Sequence, residues 1–190
     1  LVTGLENLAA GTVAAHLSND RRTPAQGIVR ARVTDLDGVL LRHEQWPLTI
    51  PAGTSAHAGT INVQPELKSH GPSALLVWVD FSESELSALP PAPSTLVLFA
   101  RPKTFALRPA GLGVTVTPHD ENSFLVTVRA AQPALWVWLD TGELTTRFSD
   151  NYRCLHPDDV WQVIATPASP VPLAEFQRHL ALRDLQSTYA

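Results

Sequence analysis

The sequence predicts an all-β protein organised as two consecutive β-sandwiches. Sixteen Pro and ten Gly residues are interleaved with short runs of Val, Leu, Ile and Thr. This pattern is typical of many short strands joined by turns rather than of long helices. The 190 residues, 44% of them hydrophobic, suit two domains of roughly 90 to 100 residues, each with its own core.

In the first half of the chain, hydrophobic runs bounded by turn residues predict six strands. They lie at residues 11–18, 27–34, 39–46, 56–63, 74–81 and 95–100. Within the second of these strands, Val29, Ala31 and Val33 alternate with Arg30 and Arg32. Such a period of two indicates a strand with one face toward a core and the other toward water.

A hairpin turn is predicted at Asp37-Gly38, between two hydrophobic runs, because Asp and Gly both tolerate the positive φ that tight hairpins require. Together with Asp35, the segment superficially resembles a calcium-binding loop. An EF-hand would need further oxygen ligands and a Glu at its twelfth position, whereas three hydrophobic residues follow at 39–41. The hairpin is therefore the interpretation that we adopt.

Two hydrophobic segments are near-copies of each other: residues 74–80 (Ala-Leu-Leu-Val-Trp-Val-Asp) and residues 134–140 (Ala-Leu-Trp-Val-Trp-Leu-Asp). Two similar sandwiches would produce such copies, although their separation is shorter than one domain and does not by itself mark a duplication. A polar, Pro-rich loop at 82–93 leads into the strand at 95–100, which we assign to the first domain. The domains are expected at residues 1–102 and 103–190, with the boundary near 101–104.

In the second half, the same criteria predict five strands. They lie at residues 113–117, 123–129, 133–140, 160–166 and 180–186. Between the last two, the Pro-rich segment 167–172 predicts a rigid connector, and residues 173–179 predict one or two helical turns. The fold class is thus all-β with a short helical turn near the C-terminus.

The segment from Arg147 to Tyr152, which reads Arg-Phe-Ser-Asp-Asn-Tyr, follows the strand at 133–140 after a short loop. In this position it resembles a segment near the C-terminus of β-mannosidases of glycoside hydrolase family 2. Four further segments are similar to parts of the last two domains of those enzymes: residues 17–20, 27–41, 98–103 and 182–185. The resemblance covers nearly the whole chain, but it departs from the family pattern at residues 153–159, where the acidic position is shifted.

This resemblance implies two immunoglobulin-like β-sandwiches that lack the catalytic residues of the enzyme. In the family, a pair of Glu residues on a (β/α)₈ barrel carries the chemistry on β-mannosides. The implied partners of this chain are therefore that barrel and the other domains of a parent enzyme, with a β-mannoside as the substrate of the parent. Arg147, Asp150, Asn151 and Tyr152 are candidates for a domain interface or for the rim of a substrate cleft.

The residues themselves show no catalytic pattern. Glycoside hydrolysis requires two carboxylates that face each other across a cleft. The acidic residues instead fall mainly in predicted turns and polar loops, as at Asp35/Asp37, Glu83/Glu85, Asp120/Glu121 and Asp158/Asp159. A Gly-x-Ser-x-Gly nucleophile elbow is absent from the sequence.

Cys154 and His156 lie two residues apart, on one face if the segment is a strand. We interpret the single Cys as a small hydrophobic residue rather than as a nucleophile. The seven His residues are nowhere at the close sequence spacing of a zinc site. We therefore expect no metal site and no cofactor.

A carbohydrate-binding module is the alternative from another functional class. Trp136 and Trp138 lie two residues apart, so on a regular strand they share a face and could stack against sugar rings. A buried or interdomain pair is the competing interpretation. Trp46, Trp78 and Trp161 are expected in the core or at an interface.

Charge and composition add further expectations. The net charge of −4 and the scattered basic residues argue against a nucleic-acid partner, and the sequence contains no apolar run of membrane-spanning length. A chain without Met that begins at Leu1 is expected to be part of a longer polypeptide. The sequence leaves the compartment open; a periplasmic or secreted parent is the working expectation.

Overall fold

The computed structural model describes residues 2–83, 94–157 and 159–189. The chain divides into two compact units, residues 1–106 and 107–190. Two positions that the sequence assigned to polar loops, Glu85 and Asp158, lie outside the described residues, as does most of the predicted loop 82–93.

Unit 1 is a β-sandwich of two antiparallel sheets. Its described elements are β1 (Val2–Asn7), β2 (Thr12–Asn19), β3 (Ala25–Thr34), β4 (Leu40–Ile50), β5 (Thr54–Asn62), α1 (Gln64–His70), β6 (Leu76–Ser82) and β7 (Thr95–Val97). One sheet has the strand order β1-β2-β5 and the other has the order β4-β3-β6-β7. The hydrophobic core lies between the two sheets.

The predicted alternation in β3 is confirmed on its core side. Val29, Ala31 and Val33 are fully buried and belong to the core of unit 1. On the neighbouring strand β6, Val77 and Val79 contribute to the same core. One face of each strand therefore supplies the apolar surface whose removal from water stabilises the sandwich.

The opposite face of β3 does not simply meet water, as the sequence had suggested. Arg30 and Arg32 contact the carboxylate of Asp80 on β6, with nitrogen–oxygen distances of 3.6 and 3.2 Å, and Asp80 is only 4% exposed. Trp78 is fully buried, and its indole N–H donates to Thr34 Oγ1 at 3.0 Å. A buried carboxylate is tolerated here because two guanidinium groups lie beside it.

The predicted hairpin between β3 and β4 is confirmed, but its loop is longer than a two-residue turn. Strand pairing ends at Thr34 and Leu40, and of the loop residues only Gly38 has a positive φ, at 81°. Asp35 holds the loop, because its Oδ1 accepts hydrogen bonds from the amides of Asp37 and Val39, both at 2.9 Å. The Asp35 carboxylate thus acts as a turn-forming acceptor.

Unit 2 is also a sandwich of two antiparallel sheets. Its described elements are β8 (Gly113–Asp120), β9 (Ser123–Arg129), β10 (Ala134–Asp140), β11 (Thr146–Phe148), β12 (Arg153–Leu155), β13 (Val160–Pro167), α2 (Leu173–His179) and β14 (Ala181–Arg183). The sheets have the strand orders β11-β13-β9-β8 and β12-β10-β14. Trp161 is fully buried in the core, where the rings of Phe124 and Phe176 also stack, with centroids 4.5 Å apart.

The all-β prediction and the short helix at 173–179 are confirmed. Among the described strands and α-helices, the sequence missed β1, α1, β11 and β12. It also extended two strands too far, since β7 ends at Val97 and β14 at Arg183. Neither helix in the described part of the chain is long enough to cross a membrane.

Gly59 on β5 supplies a test of how the two sheets of unit 1 fit together. A Cβ placed on Gly59 would lie 2.2 Å from Cε2 of Trp46, which belongs to β4 in the other sheet. We expect Gly59→Ala to lower the free energy of unfolding of unit 1 by about 1–3 kcal/mol, because the rigid indole must move. Urea denaturation followed by circular dichroism measures the change.

Gly113→Ala on β8 of unit 2 is the control for a Gly→Ala change in a strand without a clash, because a Cβ at Gly113 meets no atom within 4 Å; its effect on the free energy of unfolding of unit 2 should stay within about 0.5 kcal/mol. In a Trp46→Ala background, Gly59→Ala should cost much less than in the wild type, since the clash has been removed. Equal costs in the two backgrounds would show that Trp46 does not set the packing at Gly59.

Candidate functional site

The segment Arg147 to Tyr152 connects the two sheets of unit 2. It begins in β11, which pairs with β13, and it ends immediately before β12, which pairs with β10. Its polar side chains therefore lie where the chain crosses from one side of the sandwich to the other.

Asn151 fastens this crossing to strand β10. Its Oδ1 accepts a hydrogen bond from the Leu139 amide at 2.8 Å, and its Nδ2 donates to the Leu139 carbonyl at 3.0 Å. The side-chain amide thereby takes the place that a neighbouring strand's peptide group would occupy. Both backbone polar groups of Leu139 are satisfied, as buried backbone requires.

Asp150 and Ser149 make further structural bonds. Asp150 Oδ2 accepts the indole N–H of buried Trp161 at 3.1 Å, and its Oδ1 accepts the amide of Asn151 at 2.9 Å. Ser149 prolongs the pairing of β11 with β13, since its amide donates to the Ile164 carbonyl and its hydroxyl accepts from the Ile164 amide, at 2.9 and 3.0 Å. The polar atoms of Asp150 and Ser149 therefore form hydrogen bonds within unit 2 that stabilise its fold.

Arg147, Ser149, Asp150 and Tyr152 are the exposed residues of the segment. The Asp150 carboxylate, three residues along the chain from Arg147, is bonded to Trp161. Tyr152 is 65% exposed. Its φ of 61° lies in the left-handed region, which costs a non-Gly residue energy, and the loop held by Asn151 maintains it.

Strand β10 is irregular around Trp136, the first of its two tryptophans. The pairing of β10 with β12 shifts register between Ala134 and Val137, and Trp136, within this irregularity, has a φ of 51°. Val137 and Leu139 face the core. Because a bulge interrupts the period of two, the shared face inferred for Trp136 and Trp138 does not follow from their spacing.

The structure instead places Trp138 beside Tyr152. Their ring centroids are 6.1 Å apart, and the ring planes differ by 21°. Trp138 is half-buried, and its register partner on β14 is Arg183. Sequence reasoning had named both rings but had not paired them, since their contact depends on the path of the loop.

The chemistry around Cys154 favours the structural interpretation. Cys154 is 8% exposed, and its sulfur accepts the Trp136 amide at 3.3 Å. Burial raises the pKa of the thiol to about 11, so the reactive thiolate is scarce near neutral pH. His156 is also buried, and its amide donates to Asp159 Oδ2 at 3.1 Å.

Within the described ranges, no group of three or more His, Cys, Asp or Glu side chains is arranged to hold a metal ion. Two acidic pairs are described in full: Asp35 and Asp37 lie in the loop between β3 and β4, and Asp120 and Glu121 lie at the turn where β8 ends. Across the turn from β8 to β9, Asp120 Oδ2 accepts a hydrogen bond from the Ser123 hydroxyl at 3.1 Å.

Comparison with known proteins assigns a family to each unit. Residues 11–103 match the family described as "Mannosidase Ig/CBM-like domain", and residues 107–188 match the family described as "Ig_mannosidase: Ig-fold domain". No curated protein matches the chain.

Solved structures share this fold over almost the whole chain. A β-D-mannosidase from Dictyoglomus thermophilum superposes with a TM-score of 0.81 at 20% identity, over 97% of this chain and 21% of its own. The exo-chitosanase CsxA from Amycolatopsis orientalis gives a TM-score of 0.66 at 15% identity, over 96% of this chain and 25% of its own. The chain thus spans about a fifth to a quarter of the length of these enzymes.

The two family matches follow one another in the order that the resemblance at Arg147 to Tyr152 implied, and together they cover both units. The chain therefore belongs to the mannosidase-type immunoglobulin-like domain families, with an Ig/CBM-like domain followed by an Ig-fold domain.

Proposed function

We propose that this chain is the non-catalytic C-terminal accessory region of a β-mannosidase-like glycoside hydrolase. The observation that carries the proposal is the consecutive pair of mannosidase-type domains, together with the structural match over 97% of this chain to about a fifth of a β-D-mannosidase. The region would pack against the catalytic barrel and the other domains of its parent.

The parent is proposed to remove β-mannose residues from mannosides with retention of configuration. A retaining mechanism needs two carboxylates about 5 to 5.5 Å apart in a sugar-sized cleft, one as nucleophile and one as acid and base. Asp80 is paired with Arg32 and Asp150 accepts a hydrogen bond from the buried Trp161, and Asp35 holds a turn. In this proposal the two carboxylates belong to the barrel of the parent.

For the loop from Arg147 to Tyr152, the proposed role is mainly structural. Asn151 and Asp150 hold the crossing between sheets, because their polar atoms bond Leu139 and Trp161. Arg147 and Tyr152 are exposed and remain candidates for a domain interface or for the rim of the parent's cleft.

A second candidate function is sugar binding on Trp138 and Tyr152. The observation that favours it is the near-parallel ring pair, with Tyr152 65% exposed. Exposed aromatic faces stack against the C–H groups of sugar rings, and a loop held by Asn151 would present the ring with little entropy to lose on binding.

The accessory role makes a direct prediction about activity. The whole parent polypeptide should hydrolyse an aryl β-mannoside, and the isolated 190-residue chain should not, because the catalytic carboxylates lie elsewhere. Release of p-nitrophenol, measured at equal molar concentrations of the two proteins, checks this.

Turnover by the isolated chain would overturn the accessory role. A parent without a barrel that carries paired Glu residues would overturn the assignment to a mannosidase-like enzyme. A parent with that barrel but with activity on another β-glycoside would correct only the substrate.

The structural role of Asn151 predicts a loss of stability in unit 2. Asn151→Ala leaves the amide and carbonyl of Leu139 without these two bonds, so the free energy of unfolding should fall by about 2–4 kcal/mol. Hydrogen exchange at the Leu139 amide, followed by NMR, should accelerate in parallel.

Asn122→Ala is the matched control, since Asn122 makes a single 3.2 Å bond to the Pro167 carbonyl; a loss of about 1 kcal/mol is expected. Unchanged protection of the Leu139 amide in Asn151→Ala would refute the proposed fastening.

The sugar-binding candidate predicts saturable calorimetric binding of manno-oligosaccharide at millimolar concentration. Trp138→Ala and Tyr152→Ala should abolish the binding, and Trp136→Ala, outside the ring pair, should alter it less. Absence of binding to the wild-type chain would eliminate this candidate and leave the accessory role untouched.

A further inference from the structure

Two histidines from different strands meet on the outer face of the sheet β1-β2-β5. His16 on β2 and His57 on β5 are register partners, with ring centroids 5.1 Å apart and ring planes tilted by 59°. The flanking residues Ala15 and Leu17 are buried in the core, so the alternation of β2 directs His16 away from it. Both rings are on the accessible side, with His57 exposed and His16 half-buried.

An irregularity in the sheet creates this pair. Ala15 pairs with Gly59 while His16 pairs with His57, so Ala58 is the extra residue of a bulge. On the core side, the indole of Trp46 packs against Gly59. This packing fixes the strand next to the bulge, and the bulge places His57 beside His16.

A hydrogen bond orients one of the two rings. His57 Nε2 lies 2.9 Å from Thr60 Oγ1. When Nε2–H donates to this hydroxyl, the lone pair of His57 lies on Nδ1. Histidines that bind metals commonly use their second ring nitrogen in this way, because the bond fixes both the tautomer and the orientation of the ring.

The separation of the rings suits chelation. Two imidazoles bound to one tetrahedral ion, with metal–nitrogen distances of about 2.0–2.1 Å, place their ring centres about 5 Å apart. Imidazole is a preferred ligand of Zn²⁺, Ni²⁺ and Cu²⁺, whereas Mg²⁺ and Ca²⁺ prefer oxygen.

We propose that His16 and His57 form a two-histidine site for a divalent transition-metal ion such as Zn²⁺ or Ni²⁺, with water completing the coordination. Such an ion would join β2 to β5 across the bulge and would stabilise unit 1 without taking part in glycoside chemistry. The proposal is independent of the accessory function.

Isothermal titration of the 190-residue chain with ZnCl₂ and NiCl₂ tests the site. The wild type should bind one ion saturably, and MgCl₂ should give no binding. His16→Ala and His57→Ala should each abolish the saturable phase, and Thr60→Val should weaken it about tenfold, as expected for the loss of an orienting bond. Saturating Zn²⁺ should raise the unfolding temperature of the wild type and leave that of the two His variants unchanged.

His43→Ala is the matched control, because His43 is exposed on β4 in the other sheet. It should bind as the wild type does. Absence of saturable binding, or equal weakening by His43→Ala and His16→Ala, would overturn the proposal. His16→Gln and His57→Gln provide the same test if an Ala variant is poorly folded, with circular dichroism as the check.

Discussion

The structure depends on the burial of one apolar face of each sheet against the facing sheet. In unit 1, Val29, Ala31 and Val33 on β3 and Val77 and Val79 on β6 are completely removed from water. Each of the four Val side chains contributes about 1.5–3 kcal/mol of hydrophobic stabilisation. This constraint fixes register, because a slip of one residue would turn each of these side chains to the other face.

Besides hydrophobic burial, the fold requires that buried backbone N–H and C=O groups have hydrogen-bond partners where regular strand pairing stops. Polar side chains supply these partners. In unit 2 the chain leaves one sheet at β11 and joins the other at β12. Asn151 supplies both hydrogen bonds to Leu139, and Asp150 satisfies the indole of Trp161. Leaving such groups unpaired costs about 1–3 kcal/mol each. The concentration of polar residues in this segment thus has a structural explanation beside its value as a mark of ancestry.

β-Bulges influence where the aromatic and histidine side chains of the two candidate binding sites lie. The pairing of β10 with β12 shifts register around Trp136, and the loop before β12 brings Tyr152 to Trp138. The bulge at Ala58 brings His57 to His16. In both cases, one extra residue in a strand changes which side chains are neighbours without disturbing the core beneath them.

The sequence by itself determined the fold class, most of the long strands and the relation to mannosidases, because alternation, turn residues and the segment at Arg147 to Tyr152 are local signals. Three-residue strands such as β11 and β12 carry too few residues for a period to be visible. Only the tertiary structure decided that Asn151 fastens Leu139, that Tyr152 rather than Trp136 lies against Trp138, and that His16 meets His57. These contacts join segments distant in sequence through bulges and loop paths, which alternation within one strand does not encode.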